Sequence, residues 1–218
     1  MTNLPIILIK KMNKRQVVFM KLFLKAACAA FVLTVLYSMI PFQAACADIS
    51  GEVFRLHIIA NSDTEADQAL KLRVRDAVLA CSQPLFEQAR SKEEAEALTA
   101  AHLDDFARAA AREIQRSGCT YSVRAELTRM YFPTGTYERY TLPSGTYDAL
   151  RLTIGEGKGH NWWCVMFPSL CINTEKQGDG KTKKALGENG YHIVRDEQQE
   201  YKFFIVELFE ALTSEFHG

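Results

Sequence analysis

Apolar and polar residues alternate with two different periods along the chain, and the period changes near its middle. Residues 53–59 alternate every second position, which predicts a strand that presents Arg55 and His57 on the face opposite to its aliphatic residues. Residues 64–80 and 91–117 instead carry apolar side chains at helical spacing. One strand followed by two helices is therefore predicted for the first half.

The helix boundaries are predicted from capping residues and proline. Ser62 followed by Glu65 is typical of a capping box at the start of the first helix, and Pro84 is expected to end that helical region. Ser91 followed by Glu94 is a second capping box, which opens one long helix.

The second half is dominated by strand patterns. Residues 121–128 and 150–154 alternate with a period of two, and residues 162–167 form a short apolar strand. Helices early and strands late predict an α+β domain, with the amino-terminal strand and the helices packed on a mostly antiparallel sheet. The polar stretch 173–190 is expected to be a flexible loop, and 191–218 a carboxy-terminal amphipathic helix region.

The amino-terminal segment 1–47 is predicted to be a signal peptide or a membrane anchor. A basic region precedes fifteen uncharged residues at 26–40, and Ala45-Cys46-Ala47 resembles a cleavage site that would leave Asp48 as the new terminus. An uncleaved anchor is the alternative. The main α+β domain is then 48–172.

Charge is unevenly distributed although the whole chain is neutral. Six of the 26 basic residues precede Asp48, whereas all 26 acidic residues lie from Asp48 onward, which gives the exported part a net charge near −6. This balance argues against nonspecific nucleic-acid binding, which needs a basic face.

The cysteines of the main domain indicate disulfides rather than metal. No CxxC is present, so neither a metal site nor a cofactor is predicted. Cys164 and Cys171 are close enough in sequence to close a short loop by a disulfide, while the pairing of Cys81 and Cys119 stays open. Cys164 with His160 could instead form a thiol nucleophile and its base, although no third group orients the histidine.

Two groups of residues are candidates for recognition. Arg55, His57, Asn61 and Asp63 lie where the first strand delivers its end to the start of a helix, and His57 with Asp63 could also act as a base and its orienting carboxylate. The adjacent tryptophans could bind a partner or a carbohydrate, or fill the core; they are Trp162 and Trp163.

Two long segments resemble one known family. Residues 142–171, LPSGTYDALRLTIGEGKGHNWWCVMFPSLC, are similar to the signature region of stage II sporulation protein R, and residues 55–79, RLHIIANSDTEADQALKLRVRDAVL, are similar to its other signature. Ser169 departs from the family pattern, where a second proline is expected after Pro168.

The resemblance implies a function by binding rather than by catalysis. The family is secreted from the forespore into the intermembrane space, where it activates a membrane-embedded aspartic protease that processes the inactive precursor of a mother-cell sigma factor. The chain would then be no enzyme and would contact the membrane through its amino-terminal segment, at least before cleavage. The expected partner-binding residues are Arg55, His57, Asn61, Asp63, Trp162 and Trp163. The competing hypotheses are an exported Cys/His-dependent hydrolase and a wall-binding module.

Overall fold

A computed structural model describes residues 14–137, 140–168 and 180–195, together with Phe203 and Glu207. The chain divides into two compact units, Met1–Gln43 and Ala44–Gly218. The described residues of the first unit all belong to helix α1 (Lys14–Glu52), whose apolar side chains there are largely exposed.

Helix α1 has the composition of a membrane-spanning segment. Its most apolar eighteen-residue window has a mean hydropathy of 2.0 and no buried residues. By length and composition it could cross a membrane, and no other helix in the described part of the chain could. A signal sequence near an amino terminus meets the same criteria, so the helix is compatible with either a signal or an anchor.

The second unit is built on a mixed four-stranded sheet. Its strands are β1 (Phe54–Ile59), β2 (Val123–Phe132), β5 (Gly145–Ile154) and β6 (Asn161–Phe167), in the order β2-β5-β1-β6. Only β1 and β5 run parallel within this sheet, and the other two pairs are antiparallel. A separate hairpin is formed by β3 (Gly135–Tyr137) and β4 (Tyr140–Leu142).

The two faces of the sheet are covered differently. Helices α2 (Glu65–Phe86), α3 (Lys92–Ala101) and α4 (Leu103–Arg116) enclose the aliphatic face of β1 in one buried cluster. The opposite face packs with the β3–β4 hairpin, the end of α1 and helix α5 (Gly180–Arg195) in a second cluster. The predicted α+β class is confirmed, with one parallel strand pair inside a mostly antiparallel sheet.

Several predicted boundaries differ from the structure. Thr64 is the N-cap of α2, and its hydroxyl accepts from Asp67 N. Pro84 lies inside α2, which continues for two more residues and ends at Phe86. The single helix expected at 91–117 is two helices that break at His102, whose φ of −115° and ψ of 20° are not helical.

The segment expected to be a flexible loop is partly helical. Residues 180–190 lie in α5, which has a kink at Gly187, where φ is +69°. Leu186, Tyr191 and Val194 of this helix are buried in the second cluster, which supplies the apolar contacts that a polar sequence pattern conceals. The remainder of the predicted loop and of the terminal helix lies outside the described residues, apart from Phe203 and Glu207.

Candidate partner-binding surface

Two loops meet at one end of the sheet and are joined by hydrogen bonds. Residues 60–63 follow β1, and residues 155–160 connect β5 to β6. Because β1 and β5 are parallel and β1 and β6 are antiparallel, the end of β1, the end of β5 and the start of β6 share this edge. We call residues 60–63 and 155–160 the loop pair.

Backbone hydrogen bonds join the two loops directly. Gly159 N donates to Ala60 O at 3.0 Å, and Lys158 N donates to Asn61 O at 3.1 Å. The side chain of Asn61 continues this contact, since its Oδ1 accepts from Glu156 N at 2.9 Å. The loop pair is therefore ordered by main-chain bonding and not by side chains alone.

The alternating glycines are explained by this close approach. A Cβ at Gly155 would lie 2.2 Å from Asn61 Oδ1, and one at Gly159 would lie 2.2 Å from the carbonyl oxygen of Ser62. Gly155 also has a φ of +56°, which is costly for residues with a Cβ. The glycines thus allow one loop to lie against the other.

The exposed side chains of His160 and Asp63 contact each other on the outer side of the loop pair. Asp63 Oδ1 accepts from His160 N at 2.6 Å and also contacts His160 Nδ1. The side chains of His160 and Asp63 are 78% and 54% exposed, so a partner can reach both. The hydrogen bonds from His160 lower the pKa of Asp63.

Asp67, in the first turn of α2, holds the 60–63 loop from the inner side. Its Oδ2 accepts from Ser62 Oγ at 2.6 Å and from Asn61 Nδ2 at 2.9 Å. These hydrogen bonds lower the pKa of Asp67, which remains a carboxylate near neutral pH.

Lys71, one turn further along α2, holds the other loop. Its Nζ donates to His160 O at 2.9 Å and to Gln68 Oε1 at 2.6 Å. Burial lowers the pKa of Lys71, although the nearby charge of Asp63 partly opposes that effect. One helix therefore anchors both members of the loop pair.

Arg55 lies deep below this surface. Its side chain is fully buried, and the guanidinium carbon lies 4.1 Å from the ring centroid of Phe132, 4.9 Å from that of Tyr147 and 5.5 Å from that of Tyr137. Arg55 Nη2 donates to Tyr137 Oη, whereas Nε and Nη1 have no hydrogen-bond partner among the residues that the structure describes. Burial lowers the pKa of Arg55. Arg55 cannot contact a partner in this conformation.

His57 continues the same buried layer. It is 3% exposed, its Nε2 is 2.8 Å from Asn161 Oδ1, and its ring centroid lies 6.2 Å from Phe132 and 6.1 Å from Trp163. Burial lowers the pKa of His57. We call the assembly the aromatic cluster; its members are Arg55, His57, Phe132, Tyr137, Tyr147 and Trp163.

The two tryptophans point to opposite faces of the sheet, as neighbours on a strand must. Trp163 belongs to the aromatic cluster, and its buried indole Nε1 has no hydrogen-bond partner in the described part of the chain. Trp162 packs against the helix-side core and lies under the guanidinium of Arg75, which is 5.2 Å from the ring centroid. Both tryptophans are partly buried.

The candidate catalytic pairs are not assembled. His57 lies on the face opposite to the fully buried Cys164, which packs in the helix-side core. Asp63 pairs with His160 and not with His57. Cys81 and Cys119 are free thiols. Cys164 is disulfide-bonded, and its predicted partner, Cys171, lies outside the described residues. Among the described residues, no three His, Cys, Asp or Glu side chains are placed to hold a metal ion.

Sequence reasoning missed three residues of the loop pair and its support. The sequence pattern pairs His160 only with Cys164, and it predicts no special role for Asp67 or Lys71. The spacing of Asp67 and Lys71, four residues apart in the first turns of α2, could have indicated that both face the preceding loop. No local pattern could have paired His160 with Asp63, because 97 residues separate them.

The structure defines an α+β domain with two hydrogen-bonded loops at one end of its sheet, preceded by an apolar helix. The sequence profile of the family described as Stage II sporulation protein R matches residues 50–177. A curated relative, Stage II sporulation protein R of Bacillus subtilis (strain 168), is 31% identical over 187 residues, which cover 76% of this chain and 84% of the relative.

The chain therefore belongs to the stage II sporulation protein R family, and its role is in sporulation signalling. No solved structure matches the chain.

Proposed function

We propose that this chain is an exported activator of a membrane-embedded aspartic protease, which then processes the inactive precursor of a mother-cell sigma factor. The chain acts from the space between forespore and mother cell and performs no covalent chemistry. Family membership and the apolar amino-terminal helix support the proposal.

One observation carries the binding mechanism. The two segments that resemble the family signatures meet in the loop pair, where residues 60–63 bond to residues 155–160. A surface that is ordered before binding loses little conformational entropy on association. An activator needs only such a surface and a higher affinity for the active state of its target.

The contact residues follow from exposure. Asp63 and His160 offer a carboxylate and an imidazole at the outer edge of the loop pair, and the partly exposed Trp162 follows His160 by two positions in β6. Asn61 orients the loops, while Arg55, His57 and Trp163 support the surface from within the aromatic cluster. The partner-binding set is thus divided into contact residues and supporting residues.

Reconstituted processing tests the proposal. The full chain, and a variant without residues 1–47, are expressed with the membrane protease and the sigma-factor precursor in growing cells that do not sporulate. We expect precursor cleavage only with the exported full chain. Cleavage without the chain, or no cleavage with a well-expressed exported chain, would contradict the activator hypothesis.

The hydrolase alternative is tested by thiol chemistry. Because Cys164 is fully buried, we expect no alkylation of Cys164 in the folded protein before or after mild reduction. Rapid alkylation of Cys164 in the folded, unreduced protein would favour a thiol enzyme. Co-sedimentation with peptidoglycan would favour the wall-binding module.

A further inference from the structure

Strand β2 forms one edge of the sheet and is ten residues long. Its inner edge pairs with β5 along its whole length. In the described part of the chain, no strand pairs with its outer edge. Such an edge presents a row of backbone donors and acceptors that can add another strand.

Several side chains along this edge are exposed to solvent. Leu127 is 40% exposed, although it lies on the helix side of the sheet, and Tyr121 just before the strand is 36% exposed. Arg124 is 70% exposed and Arg129 is also exposed. Apolar and charged groups therefore alternate along residues 121–128 of this edge. Charged side chains can block edge pairing, so a second strand is favoured only where its charges are complementary.

The sequence of this edge is complementary to itself when it is reversed. Residues 121–129 read YSVRAELTR, with Ala125 at the centre. We consider two copies that pair antiparallel about a two-fold axis at Ala125. Each residue then faces the residue of the other copy that lies the same number of positions from Ala125 in the opposite direction. The facing pairs are Arg124 with Glu126, Val123 with Leu127, Ser122 with Thr128, and Tyr121 with Arg129.

Each of these facing pairs is favourable. They are an ion pair, an apolar pair, a hydroxyl pair and a cation over an aromatic ring. Ala125 on the axis is small enough for the two strands to approach. Registers centred one residue away would place Arg124 against Arg124 or Glu126 against Glu126, and like charges directly opposite each other are unfavourable. The charges therefore select one register.

We propose that the chain self-associates through β2, with the two copies antiparallel about Ala125, so that their sheets form one continuous sheet. The loop pair is no part of this interface, and each copy keeps its own recognition surface. The occupant of the edge is a second copy of this chain, because the complementarity lies between β2 and its own reversed sequence.

Cysteine cross-linking in the full exported chain tests the register. In Ala125→Cys the two cysteines face each other at a distance that a disulfide spans. In Arg129→Cys, on the same face, the two positions are separated by eight residues along the strands, about 26 Å. We expect a disulfide-linked dimer from Ala125→Cys, and at least fivefold less from Arg129→Cys and from the unsubstituted chain. The unsubstituted chain controls for the native cysteine thiols, which include Cys28, Cys46, Cys81 and Cys119.

Charge exchange provides a second measurement that does not depend on a cysteine at Ala125. Arg124→Glu replaces two attractive pairs by two repulsive ones and is expected to weaken self-association about tenfold. Arg124→Glu combined with Glu126→Arg recreates both ion pairs between the copies. Arg151→Glu is added to this variant because Arg151 Nη2 lies 2.7 Å from Glu126 Oε1 in the same chain. The triple variant should restore the dimer, as measured by the mass of the detergent-solubilised full chain.

The contrary results are equally specific. Cross-linking that is equal at both cysteine positions, or a monomeric mass for the unsubstituted chain with no cross-link at Ala125→Cys, would overturn the proposal. A cross-link from Ala125→Cys to a different protein would show that the edge serves another partner. These measurements need no protease, so their failure is separate from failure of the activator hypothesis.

Discussion

The loop pair and the aromatic cluster lie on neighbouring parts of one sheet, yet they satisfy their polar groups in opposite ways. In the loop pair, Asp63 and Asn61 accept or donate several hydrogen bonds while remaining near solvent. In the aromatic cluster, Arg55 has one hydrogen bond and is otherwise surrounded by rings. The comparison shows that a polar group near solvent is held by hydrogen bonds, whereas the buried Arg55 is held mainly by ring contacts. It is consistent with our proposal that the loop pair contacts a partner and the aromatic cluster supports it.

The largest loss of stability is expected when the Arg55 side chain is removed from the aromatic cluster. Arg55→Ala removes the side chain that fills the space between three rings, and we expect it to lower the free energy of unfolding by about 3 to 5 kcal/mol, as other large-to-small core substitutions do. Urea denaturation measures the change.

Arg55→Met is the matched control for the charge. Methionine keeps most of the side-chain volume. It also removes a buried cation whose loss of hydration is offset by few hydrogen bonds. The free energy of unfolding should therefore change by less than about 1.5 kcal/mol. If Arg55→Met were as damaging as Arg55→Ala, the charge itself would be required and the cluster would not be simply a packed support.

An intermediate effect is expected where the two loops touch. In Gly159→Ala the new Cβ would lie 2.2 Å from the backbone carbonyl of Ser62, so one loop must shift. We expect a loss of about 1 to 3 kcal/mol in the free energy of unfolding and faster hydrogen exchange of the His160 amide. Gly180→Ala is the control, because no atom lies within 4 Å of its added Cβ. Equal stability of the two variants would contradict the close contact.

These two regions also differ in how far the sequence predicts them. The alternation at 53–59 correctly places Arg55 and His57 on the face away from the aliphatic core. It cannot show that a second cluster covers that face, because the covering residues come from β2, β5 and α5, far away in sequence. The alternating glycines predict unusual backbone, but their partners, Asn61 and Ser62, are known only after β1 and β5 pair in parallel.

The sequence pattern also fails to predict some helix boundaries, because they depend on contacts outside the helix. Ser62 fits a capping box, but Asp67 binds its hydroxyl and Thr64 caps the helix instead. Residues 180–190 are polar enough to be predicted as a loop, and the burial of Leu186 against other elements makes them helical. The local sequence pattern predicts helices and strands that bury apolar side chains at regular spacing. Helix caps and polar helices depend instead on contacts with segments that are distant in sequence.

A smaller effect should follow acidification of the aromatic cluster. Burial lowers the pKa of His57 below its ordinary 6.5, so the folded protein binds this proton more weakly than the unfolded chain does. The stabilisation is complete above about pH 6.5 and is lost as the pH falls toward the lowered pKa of His57. Urea midpoints between about pH 7.5 and about pH 5 should fall more for the unsubstituted protein than for His57→Gln. Equal pH dependence would show that burial of neutral His57 contributes nothing.

The smallest effect on stability is expected at the outer edge of the loop pair. Asp63→Asn removes a charge whose partner, His160, is itself largely exposed, and solvent screens that interaction. We expect an unfolding transition close to that of the unsubstituted protein, together with faster exchange of the His160 amide. Because the pKa of Asp63 is lowered, the unsubstituted protein should approach the behaviour of Asp63→Asn only in acid, as Asp63 becomes protonated. A strongly destabilised Asp63→Asn would place Asp63 among the supporting residues.

The most direct measurement is precursor cleavage by chains altered in one region at a time. Asp63→Ala combined with His160→Ala changes the exposed edge, and Arg55→Met changes the buried cluster, with thermal unfolding of each exported chain measured in parallel. The account predicts at least tenfold less cleavage for the first variant with an intact unfolding transition, and near-normal cleavage for Arg55→Met. Full activity of the Asp63, His160 double variant in a folded protein would contradict the claim that the loop pair contacts the protease.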